Sequence, residues 1–158
     1  MIKSSRMLKL ADIAVYSPDN RLQLVAEVKG KTGATPEWAA QMRRNLLAHS
    51  AIPPARFFLL ATPDHFYLWK DGSDSPEVKA PDSIVDARPI VDPYIKDTRI
   101  SREQISDSSL QLILTSWLSF LVNSKLTPES VPPSEKWLFD LGLYEAIRHG
   151  SIETEASS

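Results

Sequence analysis

The sequence predicts an α/β (α+β) protein in which a mixed β-sheet is crossed by one helix and followed by C-terminal helices. Three observations indicate this class. Four short runs rich in Val, Leu, Phe and Tyr lie within residues 12–70 and predict strands. A helical pattern separates the second strand from the third, and two more helical patterns follow after residue 105. The order β-β-α-β-β followed by helices is typical of a mixed sheet with a helix on one face.

The first two strands, at residues 12–17 and 22–29, predict a β-hairpin. The Pro-Asp-Asn run between them is rich in turn formers. If the hairpin closes symmetrically about Asp19 and Asn20, each residue of one strand faces a fixed partner on the other. The opposed pairs that this register predicts are Asp12 with Glu27, Val15 with Leu24, and Ser17 with Leu22.

The first helix is predicted from Pro36 to His49. Thr35 supplies a hydroxyl at the N-cap, and proline is favoured at the first helical position. Ala39, Met42 and Leu46 recur at helical spacing and form the apolar face.

The rest of the chain predicts two further strands, a polar stretch and two helices. The strands are expected at residues 56–61 and 65–70, and the helices at residues 106–123 and 134–148. The stretch between the last of these strands and the first of these helices contains four prolines, which predicts an irregular segment. The chain therefore divides into a core at residues 1–71, an irregular connecting segment at 72–102, a helical extension packed on the same domain at 103–150, and a disordered tail at 151–158.

Composition excludes several classes of protein. No apolar run approaches the length of a membrane span, so we expect no membrane partner. The N-terminal residues lack the apolar core of a signal peptide. The chain has no cysteine, which excludes disulfides and cysteine-ligated zinc. Together these features predict a cytoplasmic protein.

Charge is distributed unevenly along the chain. The net charge is −2, but residues 1–70 carry 10 Lys and Arg against 5 Asp and Glu, whereas residues 71–158 carry 8 against 15. A basic half is compatible with nucleic-acid contact, and an acidic half with contact to a protein partner. An ordinary solvated surface explains the same asymmetry equally well.

Three charged residues of the hairpin form the candidate site. Glu27 and Lys29 share one face of their strand because side chains alternate. Asp12 is predicted to lie opposite Glu27, and two carboxylates that close repel each other unless a cation lies between them. The cluster is therefore either a structural ion cluster or a site for a hard cation such as Mg²⁺ or Mn²⁺, with the Val28 backbone carbonyl as a further ligand. Lys29 would then orient a water or neutralise charge on a phosphoryl group.

Asp12 is followed across the hairpin by Glu27 and Lys29, which lie on either side of a valine, and then by a helix that carries Gln41. This pattern resembles the PD-(D/E)xK superfamily of restriction-endonuclease-like nucleases. The likeness covers residues 8–70 and is greatest to the nuclease domains of type I restriction subunits and small stand-alone relatives. The resemblance implies a restriction-endonuclease-like core and metal-dependent hydrolysis of phosphodiester bonds, with DNA the expected nucleic acid. It implies Asp12 and Glu27 as ligands for Mg²⁺ or Mn²⁺, Lys29 as the catalytic cation and Gln41 as an accessory catalytic residue.

Basic side chains near this motif are candidates for phosphate contact. On the helix and the loop before it these are Lys31, Arg43 and Arg44, and at the N-terminus they are Lys3, Arg6 and Lys9. Ordinary surface charge is an equal alternative for all six.

Two other interpretations remain open. The fold is also compatible with a catalytically silent module that binds nucleic acid or protein and acts in regulation. Net acidity, the absence of an acid before Asp12 and the lack of a separate sequence-reading domain favour it. Such a small core would need a protein partner or a homodimer to grip duplex DNA. In the third interpretation the charged cluster is only structural, and Glu27→Gln would leave every function intact.

Overall fold

The computed structural model of the protein describes residues 11–49, 55–70 and 77–154. These residues form a six-stranded mixed sheet with helices on both faces, which confirms the predicted α+β class. The N-terminal residues Lys3, Arg6 and Lys9 lie outside the described residues.

The first five strands, with one helix between the second and the third, precede a helical stretch and one last strand. The strands are β1 (Ile13–Tyr16), β2 (Leu22–Val28), β3 (Phe57–Ala61), β4 (His65–Lys70), β5 (Ser83–Asp86) and β6 (Ser151–Thr154). The helices are α1 (Pro36–His49), α2 (Arg88–Ile95), α3 (Asp107–Asn123), α4 (Trp137–Asp140) and α5 (Leu143–Ile147). The order from β1 to β4 and the bounds of α1 agree with the prediction.

The sheet has the strand order β5-β4-β3-β2-β1-β6. Strands β2 and β3 are parallel, and every other neighbouring pair is antiparallel. Parallel neighbours need a crossover connection, which α1 supplies. Thr35 caps this helix as expected, because its hydroxyl oxygen accepts a hydrogen bond from the Trp38 N–H at 3.1 Å.

The hairpin register is the predicted one at its open end and differs near its turn. Val15 faces Leu24 as predicted. A bulge then makes Tyr16 face Leu22, so the predicted pairing of Ser17 with Leu22 is wrong. An extra residue on β2 shifts only the pairs on the turn side of the bulge. The end that carries Asp12 therefore keeps the predicted register.

Alternation along the strands divides the core into two layers. On one face, Val25 of β2 lies in an apolar cluster with strand residues Phe58 and Leu60 and with Ala39 of α1. On the other face, neighbours such as Leu24 pack in a larger cluster that includes α3 and α5. Because Glu27 follows Val25 by two residues, it belongs to the face that α1 covers.

The segment at residues 72–102 is not irregular as predicted, since it contains β5 and α2. Strand β5 pairs antiparallel with β4, and its Val85 is buried. Pro89 lies at the start of α2, where a missing N–H costs little, although Pro93 lies inside that helix. The prolines were misleading because Pro81 precedes β5 and Pro89 lies in the first turn of α2, two positions at which proline is tolerated.

The prediction of one helix at residues 134–148 is also wrong. This segment instead contains a 3₁₀ turn at Pro133–Glu135, followed by α4 and α5. Gly142 separates the last two with φ of 84°, a left-handed conformation that glycine adopts without steric cost. The break allows Tyr144 of α5 to turn into the core, where its hydroxyl donates to the Ser124 carbonyl at 2.6 Å.

The tail predicted to be disordered instead completes the sheet over Ser151–Thr154. Strand β6 pairs antiparallel with β1 along all four residues. Gly150 before it lies so close to β1 that a Cβ atom there would be 2.0 Å from the Tyr16 carbonyl oxygen. Residues 155–158 lie outside the described residues. The C-terminal part of the chain thus pairs with the strand that follows Asp12.

Across the three described ranges, none of the helices combines the length and the apolar character needed to cross a membrane.

Replacing Gly142 tests the left-handed break. Gly142→Ala should lower the free energy of unfolding by about 1–2 kcal/mol, because an L-residue with a Cβ is strained in this conformation. Gly142→Asn is the matched control and should cost less, since asparagine tolerates the left-handed region better. Urea unfolding followed by circular dichroism measures both. Equal stability of wild type and Gly142→Ala would show that the strain is absent.

Candidate functional site

The backbone of the hairpin brings Asp12 and Glu27 together. The Asp12 N–H donates to Oε2 of Glu27 at 2.8 Å. In return, the Val28 N–H donates to Oδ2 of Asp12 at 2.9 Å. Each carboxylate therefore accepts a hydrogen bond from the backbone of the other strand. These bonds hold the two acidic groups in adjacent positions at the start of β1.

Val28 contributes its backbone to this arrangement and its side chain to the opposite core. The side chain is buried in the layer that includes α3. Because N–H and C=O of one strand residue point to the same edge, the Val28 carbonyl faces the side on which Asp12 lies. The Val28 carbonyl, the predicted additional ligand, is thus on the edge of β2 that faces Asp12.

Glu27 and Lys29 lie on the α1 face of the sheet. Glu27 is 7% exposed and is paired in register with Leu60 of β3. Lys29 is half-buried, and its N–H donates to the Ala61 carbonyl at 2.9 Å, which extends the parallel pairing beyond β2. The lysine backbone is therefore held by the sheet, two residues along from the carboxylate.

The loop that follows Lys29 is bonded to the β3–β4 turn. The Gly33 N–H donates to Oδ2 of Asp64 at 3.0 Å. Burial raises the pKa of the Asp64 carboxyl, but hydrogen bonds from Gly33 and the Thr62 hydroxyl and the charge of His65 outweigh it and hold that pKa below its usual value. Sequence reasoning missed Asp64, because it reads as an ordinary turn residue and its partner is 31 residues away.

Gln41, the predicted accessory residue, lies on the solvent side of α1. It is exposed, and so are Glu37 and Asn45, which lie four residues away on the same stripe of α1. The stripe that faces the sheet instead includes Ala39 and Arg43. Helix α1 is rotated so that its small residues pack on the strands, and this turns Gln41 towards solvent.

Arg43 is also placed differently from the prediction, which had it contacting phosphates. It is 2% exposed, and its guanidinium lies over the Trp69 ring at 5.5 Å. One guanidinium nitrogen donates to the Glu77 carbonyl at 3.4 Å. Burial lowers the pKa of Arg43, while the negative charges of Asp82 and Glu77 oppose that shift. The side chain packs against the sheet and is not available to a nucleic acid.

Lys31 and Arg44 remain candidates for phosphate contact. Both are exposed. The Lys31 ammonium lies 5.9 Å from the centre of the Trp38 ring, and the Arg44 guanidinium donates to the Asn45 side-chain oxygen at 3.2 Å. They lie in the loop after Lys29 and on the solvent side of α1.

The donor set fits a hard divalent cation. Asp12 and Glu27 supply carboxylate oxygens, and the Val28 carbonyl faces the same edge. Among the described residues there is no group of three or more His, Cys, Asp and Glu placed to hold a metal ion. Mg²⁺ commonly uses only one or two carboxylates and keeps several waters, so a two-carboxylate site is compatible with it.

Comparison of the sequence with models of known protein families, with curated proteins and with solved structures finds no match.

Replacing each of two adjacent arginines of α1 tests whether Arg43 has a structural role. Arg43→Ala should lower the free energy of unfolding by about 2 kcal/mol, because it removes the stacking on Trp69 and the packing of the aliphatic stem. The matched control Arg44→Ala should change it by less than about 0.5 kcal/mol, since that side chain is exposed. Chemical denaturation compares the two variants. Equal effects would contradict a structural role for Arg43.

Proposed function

We propose that the protein is a Mg²⁺- or Mn²⁺-dependent nuclease that hydrolyses phosphodiester bonds, with DNA as its expected substrate. The observation that carries this proposal is the contact between Asp12 and Glu27 through reciprocal backbone hydrogen bonds, with Lys29 on the same face as Glu27. The resemblance to the PD-(D/E)xK superfamily supports it, as does the hairpin followed by a crossover helix and a parallel strand.

The placement of Glu27 supports a chemical role. Its carboxylate is 7% exposed, and the hairpin holds the Asp12 carboxylate beside it. Two carboxylates held this close attract a divalent cation, because the cation turns their mutual repulsion into attraction.

Each residue then has a defined task. Asp12 and Glu27 would hold the cation together with the Val28 carbonyl. Bound there, Mg²⁺ would supply the positive charge that polarises the scissile phosphate and makes an attacking water more acidic. Lys29 would orient that water in line with the leaving group, or neutralise the charge that develops on the phosphoryl oxygens. Lys31 and Arg44 would contact neighbouring phosphates.

A second candidate function is a catalytically silent module that binds nucleic acid or protein. Burial of Arg43 favours it, because this side chain is withdrawn from the set that was predicted to hold DNA for cleavage. Such a module requires no catalytic lysine. It would act with a protein partner or as a homodimer to hold duplex DNA.

Metal binding provides the first test. Isothermal titration with Mn²⁺ should show at least a tenfold weaker affinity for Glu27→Gln than for wild type, because about 10–100-fold losses follow even from changes outside the ligand shell. The amide oxygen can still accept from the Asp12 N–H, so the hairpin should remain folded. Glu37→Gln, the same change at an exposed position of α1, is the matched control. Unchanged affinity in Glu27→Gln would contradict the metal site.

Cleavage of supercoiled and linear DNA in Mg²⁺ or Mn²⁺ provides the second test. Lys29→Ala should cut at least about 100-fold more slowly than wild type while still binding metal, because it removes the cation that stabilises the transition state. Lys70→Ala, the same change at an exposed lysine at the end of β4, is the matched control and should keep the wild-type rate. If wild type binds metal but cuts neither substrate, the silent-module function is supported. Equal rates for wild type and Lys29→Ala would contradict the role of Lys29.

A further inference from the structure

Helix α3 contacts the backbone on both sides of the candidate site. The Gln111 side-chain amide donates to the Asp12 carbonyl oxygen at 3.2 Å. One turn earlier, Oδ1 of Asp107 accepts the Gly30 N–H at 2.6 Å. The two side chains lie four residues apart and therefore project from one stripe of the helix. One hydrogen bond holds the residue that carries the first carboxylate, and the other holds the residue directly after Lys29.

Helix α3 is held in place at its N-terminus and along its buried side. Ser106 caps it by accepting a hydrogen bond from the Ser109 N–H at 3.1 Å. Leu110, between the two contact residues, is completely buried in the core beneath the sheet. A helix fixed by its cap and its core side provides rigid attachment points for the strands above it.

The chain after Lys29 packs closely against the residues that lead into α3. A Cβ atom at Gly30 would lie 2.4 Å from the Ile105 carbonyl oxygen and 3.1 Å from the Asp107 nitrogen. Only glycine fits at this distance, because any other side chain would push the two backbones apart. The Asp107 hydrogen bond therefore lies within a close backbone contact and is not an isolated surface interaction.

We propose that Gln111 and Asp107 are positioning residues of the active site. Gln111 fixes the Asp12 peptide, and Asp107 fixes the chain directly after Lys29, so that α3 sets the distance between the first metal ligand and the catalytic lysine. The inference rests on the proposed function. It assigns a positioning role to a helix that follows the hairpin by about 80 residues.

The Gln111 contact is tested by Mn²⁺ titration of the full chain. Gln111→Met keeps an unbranched side chain but removes the donor, and it should raise the Mn²⁺ dissociation constant about tenfold. Gln23→Met is the matched control, because the Gln23 amide donates to the Arg21 carbonyl at the far end of β2. It should bind Mn²⁺ like wild type. The thermal midpoint of each variant, measured in EDTA, shows whether any loss of affinity comes from unfolding.

The Asp107 contact is tested by the exchange rate of the Gly30 amide and by cleavage kinetics. Asp107→Ala should speed Gly30 exchange about tenfold or more, and lower kcat at an unchanged KM. Asp107→Asn should restore both, because its side-chain oxygen can still accept the Gly30 N–H. Asp107 is exposed, so its replacement does not open the core. Asp82→Ala is the matched control, since Asp82 accepts the Lys70 N–H at the opposite side of the sheet.

The outcomes separate this inference from the proposed function. No Mn²⁺ binding by wild type would contradict the proposed function itself. Binding by wild type with the same affinity in folded Gln111→Met, or wild-type exchange and kcat in Asp107→Ala, would overturn the positioning role and leave the metal site standing. If Gln111→Met does not fold, the comparison of Asp107→Ala with Asp107→Asn decides.

Discussion

The alternation of side chains along β2 is the constraint on which the rest of the structure depends. Leu24 and its even-numbered neighbours belong to the larger core under α3, whereas Val25 belongs to the smaller core under α1. The same alternation places Glu27 on the α1 face and the Val28 side chain in the opposite layer. A one-residue slip of the hairpin would exchange the two faces and bury the glutamate in the larger apolar core.

The Asp12 and Glu27 carboxylates are held close together by the backbone of the hairpin. Each accepts a backbone hydrogen bond from the facing segment of the hairpin. Glu27 is also buried, at 7% exposure, on the face of the sheet that α1 covers. Strand pairing and these hydrogen bonds therefore place both carboxylates at the end of β2 that Lys29 follows.

The second half of the chain contributes to the site through backbone contacts. Strand β6 pairs with β1, and α3 packs under β2 while bonding the backbone of Asp12 and of Gly30, the residue after Lys29. The loop after Lys29 is held from two directions, by Asp64 on the β3–β4 turn and by Asp107 at the start of α3. Precision at a catalytic site depends on such supporting contacts as much as on the reactive groups. The charged hairpin and the C-terminal helices thus form one structural unit.

The sequence by itself determined the features that depend on neighbours close in the chain. The hairpin, the register at its open end, the start of α1 at Thr35 and the contact of Asp12 with Glu27 all follow from turn residues, caps and period-two patterning. The helix break at Gly142 also depends on residues close in the chain. It was not predicted, because apolar residues continue at helical spacing on both sides of the glycine.

Only the tertiary structure decided the rest. Whether Ser151–Thr154 becomes a strand depends on β1 presenting an open edge, and whether β5 forms depends on β4. The rotation of α1, which buries Arg43 and exposes Gln41, depends on which side chains fit against β3 and β4. The partners of Asp107 and Gln111 lie 77 and 99 residues away, at a range where local propensity carries no information. These contacts form because packing of the whole sheet brings distant backbone groups within hydrogen-bonding distance, and no local pattern encodes that distance.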